Sequence, residues 1–412
     1  MKITDLNNIK IISDGICAVN GVKAAGFKED KYGFAAILNE NSIASGVFTS
    51  NKVKAAPVYF SKKAIEDGNL SLIIANSGNA NCFTGKQGME DCKSMVDFAA
   101  SKLNISPNDI AIASTGVIGR HLPMDIILNL EEKAISNFRC SADGSNNAAK
   151  AIMTTDTFPK EFAVEVTLTN GKKVNIGGIT KGTGMIAPNM GTMLSFLMTD
   201  AIINKESIEQ ALKIAVNDSY NMIVVDGDES TNDTTILMAN GKSDVSVLIN
   251  NEIDPNFQKA LTYLCQELAQ MMVRDGEGAS KFLEVTVKGA KTENDARNAV
   301  RAIISSSLFK AAVFGGDPNW GRIAMAVGYA GIDIVPDKMS ISMASDEEFI
   351  DLVKDGEPLA IDNSDNLKIA EKIIDNKNIL IIVDLNIGDS LATGWGCDLT
   401  YDYVKINAEY TT

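Results

Sequence analysis

A chain of 412 residues with 45% hydrophobic content can bury a large core, and its length points to two or three structural units. Lys and Arg number 38 against 53 Asp and Glu, a formal charge of −15 that repels phosphate backbones and anionic membrane surfaces, so no nucleic-acid partner is expected. The opening MKITDLNNIKIISDG lacks the apolar core of a signal peptide, and no later apolar run nears the ~20 residues that span a bilayer, so a soluble, cytoplasmic protein without a membrane partner is expected.

The runs GFAAIL, SIASGVF, SLIIAN and IAIAS read as strands and alternate with amphipathic helical stretches, the pattern of a mixed α/β fold. Pro57 opens and Gly68 closes one helix; residues 86–103 and MDIILNLEEKAISNF predict two more. FAVEVTLT-Asn170-Gly171-KKVNIGGI predicts two strands around a two-residue turn in which Asn170 and Gly171 both accept positive φ. Asp254 and Pro255 occupy N-cap and first-turn positions, and Phe257, Leu261, Leu264, Leu268 and Met272 carry the helical period to about Asp275. Strand-like FLEVTVKG, helical DARNAVRAII, a Gly-rich GGDPNWGR turn and the pair LKIAEKII and ILIIVDL then predict a second α/β unit, with the boundary near residue 290. No repeat or Pro-rich linker interrupts the chain, so the two units are expected to share an interface.

Six cysteines, Cys17, Cys82, Cys92, Cys140, Cys265 and Cys397, show no zinc spacing and read as reduced and mostly structural. The single histidine, His121, rules out a multi-histidine metal site, and before Leu122 and Pro123 it reads as a loop or helix-cap residue rather than a general base. No metal and no cofactor are expected.

The stretch from Lys181 through Gly191 and Thr192 to Leu197 places a glycine-rich, proline-containing loop directly before an apolar strand candidate. A loop that held the Gly191 carbonyl against the Thr192 hydroxyl would permit an N-to-O acyl shift, and Gly191, without a Cβ, tolerates the strained backbone this needs. Hydrolysis of the ester would leave Thr192 with a hydroxyl nucleophile and an α-amino base of pKa roughly 7.7–8.0. On its residues alone the Gly-Thr pair reads first as an ordinary strand entry, and the cleavage reading second. Gly182 to Ala187 also fits G-x-G-x-x-A, but Pro188 and NMGTML do not continue the helix that a dinucleotide site requires.

Seven strings occur in order: NSGNAN (76–81), STGVIG (114–119), MTTDT (153–157), KGTGMIAPNMGTML (181–194), VVDGDESTND (224–233), DGEGASKF (275–282) and GGDPNWGRI (315–323). Together they resemble the motif set of the ornithine acetyltransferase (glutamate N-acetyltransferase) family across nearly the whole chain. The resemblance implies an α/β/β/α sandwich over residues 1–290, a smaller α/β domain over 291–390 and a C-terminal tail, 391–412, that returns to the active site. It implies self-cleavage between Gly191 and Thr192, the two fragments staying associated as a heterotetramer. It also implies a ping-pong transfer of acetyl from N-acetylornithine to glutamate in arginine biosynthesis, with acetyl-CoA as a potential second donor. Thr192 would be the nucleophile, Thr115 and Gly116 the oxyanion hole, and Thr154, Lys181, Thr192, Glu277, Asn407 and Thr412 the substrate contacts.

Two positions depart from the family pattern. Gly191 stands where alanine is usual, and its extra freedom is expected to lower the population of the reactive turn. Glu229 stands where a small polar residue is expected. Two other readings remain at this point: an N-terminal-nucleophile hydrolase with water as acceptor, and an uncleaved binding protein.

Overall fold

The computed structural model describes residues 2–187 and 193–409. GFAAIL and SIASGVF belong to one 17-residue strand, Tyr32–Phe48. Its register against Asn69–Asn79 slips between Leu38 and Ser42, and Asn41 there takes a φ of 55°. Before this slip the strand pairs with Lys23–Glu29 and with residues 72–77 of Asn69–Asn79, which itself runs parallel to Ile110–Val117. After it the strand pairs with Thr234–Ala239, and the sheet continues through Leu194–Thr199, Lys173–Lys181 and Lys160–Thr167 to Ile9–Ile12.

Strand alternation turns this sheet into layers. Ile37, Ile73, Ala75 and Ala113 from one half meet Ile179, Phe196, Met198 and Ile236 from the other in a shared buried cluster. Their sequence neighbours point outward: Ala36, Leu72, Ile74 and Ile112 pack with helices Gly85–Leu103 and Met124–Ile135. Val174, Ile176, Leu197 and Leu237 pack with Lys205–Asn217 and Pro255–Arg274. The result is the expected α/β/β/α sandwich.

A second, seven-stranded sheet runs from Glu357–Pro358 through Phe349–Lys354, Ser340–Ala344, Asn378–Asp384, Phe282–Ala290 and Ser390–Cys397 to Ile223–Val224. Strands from before residue 290 thus lie beside those that follow it. Helix Glu293–Ser305 packs on this sheet, and helix Tyr401–Ala408 follows its Ser390–Cys397 strand. Among the described residues no helix is long and apolar enough to cross a membrane.

The long helix begins at Pro255 with the Asp254 side chain as its cap, and Phe257, Leu261, Leu264, Leu268 and Met272 are fully buried. The hairpin before it departs from the expected turn. Leu168 N–H donates to the Lys172 carbonyl at 2.8 Å, so Thr169, Asn170 and Gly171 form a three-residue loop in which only Gly171, at φ 81°, is left-handed. The reason is distant in sequence: Asp254 Oδ2 accepts from the Thr169 N–H and hydroxyl at 3.0 and 2.7 Å, drawing Thr169 into the loop. The expected GGDPNWGR turn also gives way early, because the Asn319 side chain accepts from Arg322 N–H and caps a helix starting at Trp320.

Candidate active site

Ends of strands and the turns that follow them close around a cavity of about 280 Å³. Thr115, Gly116, Thr154, Lys181, Glu277 and Asn407 all line it, together with Thr155, Gly184, Met185 and the Ser230–Asn232 turn. Six of the residues singled out from the sequence are therefore neighbours in space. Gly191, Thr192 and Thr412 lie outside the described residues.

Thr115 and Gly116 end the Ile110–Val117 strand, paired in parallel register with Ser77 and Gly78. Gly116 has a φ of 130°, and a Cβ there would stand 2.3 Å from the Gly78 carbonyl carbon, so no larger residue fits without moving backbone. Lys181, at the end of the Lys173–Lys181 strand, donates to Thr154 Oγ1 at 2.8 Å and to Thr115 Oγ1 at 3.3 Å. Thr115 oxygen accepts that bond, which leaves its proton available to donate. Thr154 and Thr155 of MTTDT both line the cavity, but they are committed differently: Thr154 binds Lys181, while the Thr155 and Thr183 hydroxyls bind each other at 2.6 Å.

Glu277 is placed by its own N–H, which donates to the Thr183 carbonyl at 2.9 Å. Asn407 Nδ2 donates to Glu277 Oε2 at 2.9 Å, bringing the C-terminal helix to the cavity. That helix crosses Gly278 closely: at φ 68°, a Cβ on Gly278 would lie 2.5 Å from the Tyr403 nitrogen. Among the described residues the cavity thus presents one ammonium, Lys181, and one carboxylate, Glu277.

Behind Lys181 stands a buried charge network that the sequence reading missed. Lys160 Nζ lies 2.7 Å from Asp156 Oδ1 and 2.5 Å from Asp275 Oδ2. Asp156 also accepts from Gly182 N–H at 2.9 Å and Thr154 N–H at 3.1 Å, tying two cavity-lining turns together. Asp275 accepts from both the N–H and the hydroxyl of Thr157. Burial alone would raise the Asp156 carboxyl, but the Lys181 and Lys160 ammoniums overcome it and hold Asp156 down at about 2. Burial pushes Lys181 below the usual lysine value, with Asp156 opposing and Lys160 reinforcing the shift. Asp156 and Asp275 lie inside MTTDT and DGEGASKF, but no local signal marks them as buried: Asp156 is flanked by Thr155 and Thr157, and Asp275 by Arg274 and Gly276.

His121 is exposed in the loop before helix Met124–Ile135, and its carbonyl accepts from Asn79 Nδ2 at 2.7 Å. Glu229 is also exposed: Oε2 accepts from the Ser50 hydroxyl at 3.4 Å and its carbonyl from Asn51 Nδ2 at 3.0 Å. Among the described residues no group of three or more His, Cys, Asp or Glu is arranged to hold a metal ion.

The profile of the ArgJ family matches residues 19–412. The chain belongs to the ArgJ family. The glutamate N-acetyltransferase of Methanothermobacter thermautotrophicus is 50% identical to this ArgJ chain over 404 residues, 98% of this chain and 99% of that protein. The glutamate N-acetyltransferase of Methanocaldococcus jannaschii is 51% identical over 408 residues, 98% of this chain and 100% of its own. Among solved structures, the arginine biosynthesis bifunctional protein argJ of Bacillus halodurans is 38% identical, covering 52% of this chain and 97% of that one with a TM-score of 0.47. The family resemblance read from the seven strings is borne out over almost the full length of the ArgJ chain.

Proposed function

We propose that this ArgJ-family protein is a glutamate N-acetyltransferase that takes acetyl from N-acetylornithine, gives ornithine and N-acetylglutamate, and so serves arginine biosynthesis. The observation that carries the reading is the convergence of Thr115, Gly116, Thr154, Lys181, Glu277 and Asn407 on one small cavity. Its ammonium and carboxylate complement the two charged ends of an α-amino acid.

In this reading Thr192 attacks the Gly191 carbonyl, the Gly191–Thr192 C–N bond breaks with the hydroxyl proton passing to nitrogen, and one water opens the ester. Fragments 1–191 and 192–412 remain associated, two of each forming a heterotetramer. The freed Thr192 hydroxyl attacks the acetyl carbon of N-acetylornithine while its α-amine takes the proton. Thr115 hydroxyl and Gly116 N–H stabilise the oxyanion. The amide bond breaks, ornithine leaves with the proton on its nitrogen, and the glutamate amine takes the acetyl group from the Thr192 ester. Acetyl-CoA would load the same ester if the Thr192 hydroxyl attacked its acetyl carbon, the C–S bond breaking and the CoA thiol leaving with the proton, so it is a second donor to assay. No metal or cofactor takes part, and the reaction belongs in the cytoplasm.

The test is a denatured mass spectrum of the wild type and Thr192→Ala, followed by assay with N-acetylornithine and glutamate. Two fragments in the wild type alone, with ornithine and N-acetylglutamate formed in equal amounts, support the reading. An intact wild-type chain would remove the nucleophile, and acetate in place of N-acetylglutamate would make the protein a hydrolase.

A further inference from the structure

Two carboxylates from the VVDGDESTND stretch hold the chain on both sides of residues 188–192. Upstream, Met185 N–H and Ile186 N–H donate to Asp226 Oδ2 and Oδ1 at 2.6 and 3.0 Å. The Ile186 carbonyl in turn accepts from Val225 and Gly227 N–H at 2.9 and 3.3 Å. Met185 is kept at a φ of 55°, a left-handed conformation that is unfavourable for a residue with a Cβ and persists where neighbours over-determine it. Downstream, Met193 N–H donates to Asp233 Oδ1 at 2.8 Å, and its carbonyl accepts from Thr234 N–H at 3.1 Å. Leu194 is then held between Lys181 and Thr234 in sheet register.

Neither carboxylate has an ion pair among the described residues. Asp233 is fully buried, and its Oδ2 has no hydrogen-bond partner there. Burial pushes both carboxyls above the usual range. Beyond side-chain contacts from Tyr403 to Asp226 and from Ser230 to Asp233, these carboxylates serve backbone N–H groups, and without a cation to pair with they do little for net stability. Their work is to fix backbone.

We propose that Asp226 and Asp233 are positioning residues for self-cleavage between Gly191 and Thr192, a role that rests on the cleavage reading above. Holding Ile186 and Met193 sets the separation and direction of the two chain ends between which the scissile bond lies. Asp233 in particular fixes the N–H of Met193, the first described residue after the scissile bond. The brace offsets the freedom that Gly191 adds relative to alanine. It lowers the entropic part of the barrier to bringing hydroxyl and carbonyl together.

The experiment follows the intact chain by denatured mass spectrometry at intervals after cell-free synthesis of the full-length protein. Wild type, Asp226→Ala, Asp226→Asn, Asp233→Ala and Asp233→Asn are compared, with melting temperatures measured in parallel. Both alanine variants are expected to cleave about 10²-fold more slowly, the scale of an ångström-sized misplacement of reacting groups. Asp233→Asn keeps an oxygen for Met193 N–H and is expected to recover most of the rate. Asp226→Asn, with one amide oxygen for two N–H groups, is expected to fall between. If the alanine variants do not fold, the two asparagine variants still give this order. Variants that all cleave as fast as wild type overturn the proposal, as does an equal loss in Asp233→Ala and Asp233→Asn. A wild type that never cleaves overturns the cleavage reading itself, an outcome distinct from a cleaving wild type with unaffected variants.

Discussion

Lys160 Nζ and Asp156 Oδ1 stand 2.7 Å apart, and neither side chain reaches solvent. Asp275 completes the arrangement at 2.5 Å from the same ammonium. Removing the cation leaves two buried carboxylates facing each other, so Lys160→Met is expected to cost about 3–5 kcal/mol, the scale for breaking a buried pair by deleting one partner. Urea titration of the wild type and the variant checks this. The loss should shrink in acid: the folded Asp156 value near 2 lies below its ordinary 3.8, so its contribution is full above 3.8 and is lost as pH falls through about 2. A Lys160→Met cost that is unchanged down to pH 2 would contradict the assignment.

Thr115 and Gly116 are adjacent but should fail differently. Thr115→Val removes one hydroxyl with little change in shape, and if that hydroxyl is an oxyanion donor, kcat for ornithine release falls ~10²–10³-fold with KM and melting temperature nearly unchanged. Gly116→Ala places a Cβ 2.3 Å from the Gly78 carbonyl carbon at a φ of 130°, so the strand end itself must shift. Its melting temperature should drop together with kcat. Equal thermal losses in the two variants would argue against a chemical role for Thr115.

Lys181 carries a pH prediction. Burial lowers its pKa, Asp156 resists, and Lys160 adds to the lowering, so the ammonium discharges at a lower pH than an ordinary lysine. If it binds a substrate carboxylate, KM for glutamate rises on the alkaline side, beginning below the usual lysine range, while kcat holds. Lys181→Met should raise KM at all pH values and abolish the alkaline limb. A limb that survives in Lys181→Met would belong to another group.

The parts of this molecule that were legible in the sequence are those governed by near neighbours or by the whole motif set. The helix from Pro255 could be read because cap, first-turn proline and apolar period all lie within one segment. Asn170-Gly171 misled because a local turn preference was overridden by Asp254, on another element, binding Thr169. Lys160 was invisible for the same reason: Asp275, which defines its role, is 115 residues away. Asp226 and Asp233 belong to VVDGDESTND, a string that carries family resemblance, yet their service to backbone N–H groups exists only after folding. The cavity residues were found by family pattern, since nothing in the local chemistry of Thr154 or Asn407 distinguishes either from a surface residue.

Glu131 lies on the Met124–Ile135 helix, fully buried, and neither carboxyl oxygen has a hydrogen-bond partner among the described residues. Burial pushes its carboxyl up to about 9, so it is neutral in the folded protein at ordinary pH and ionised in the unfolded chain. The sign follows from linkage. With the folded value above the ordinary 4.5, the unfolded state loses its proton first, and stability falls as pH rises from about 4.5 to about 9. The limiting slope is about 1.4 kcal/mol per pH unit. Glu131→Met, similar in length and without a polar group to satisfy, should therefore stabilise the protein, and by much more at pH 8 than at pH 5. Urea midpoints of both proteins at the two pH values provide the measurement. A gain of the same size at pH 5 and pH 8 would mean that Glu131 is not held neutral in the folded state.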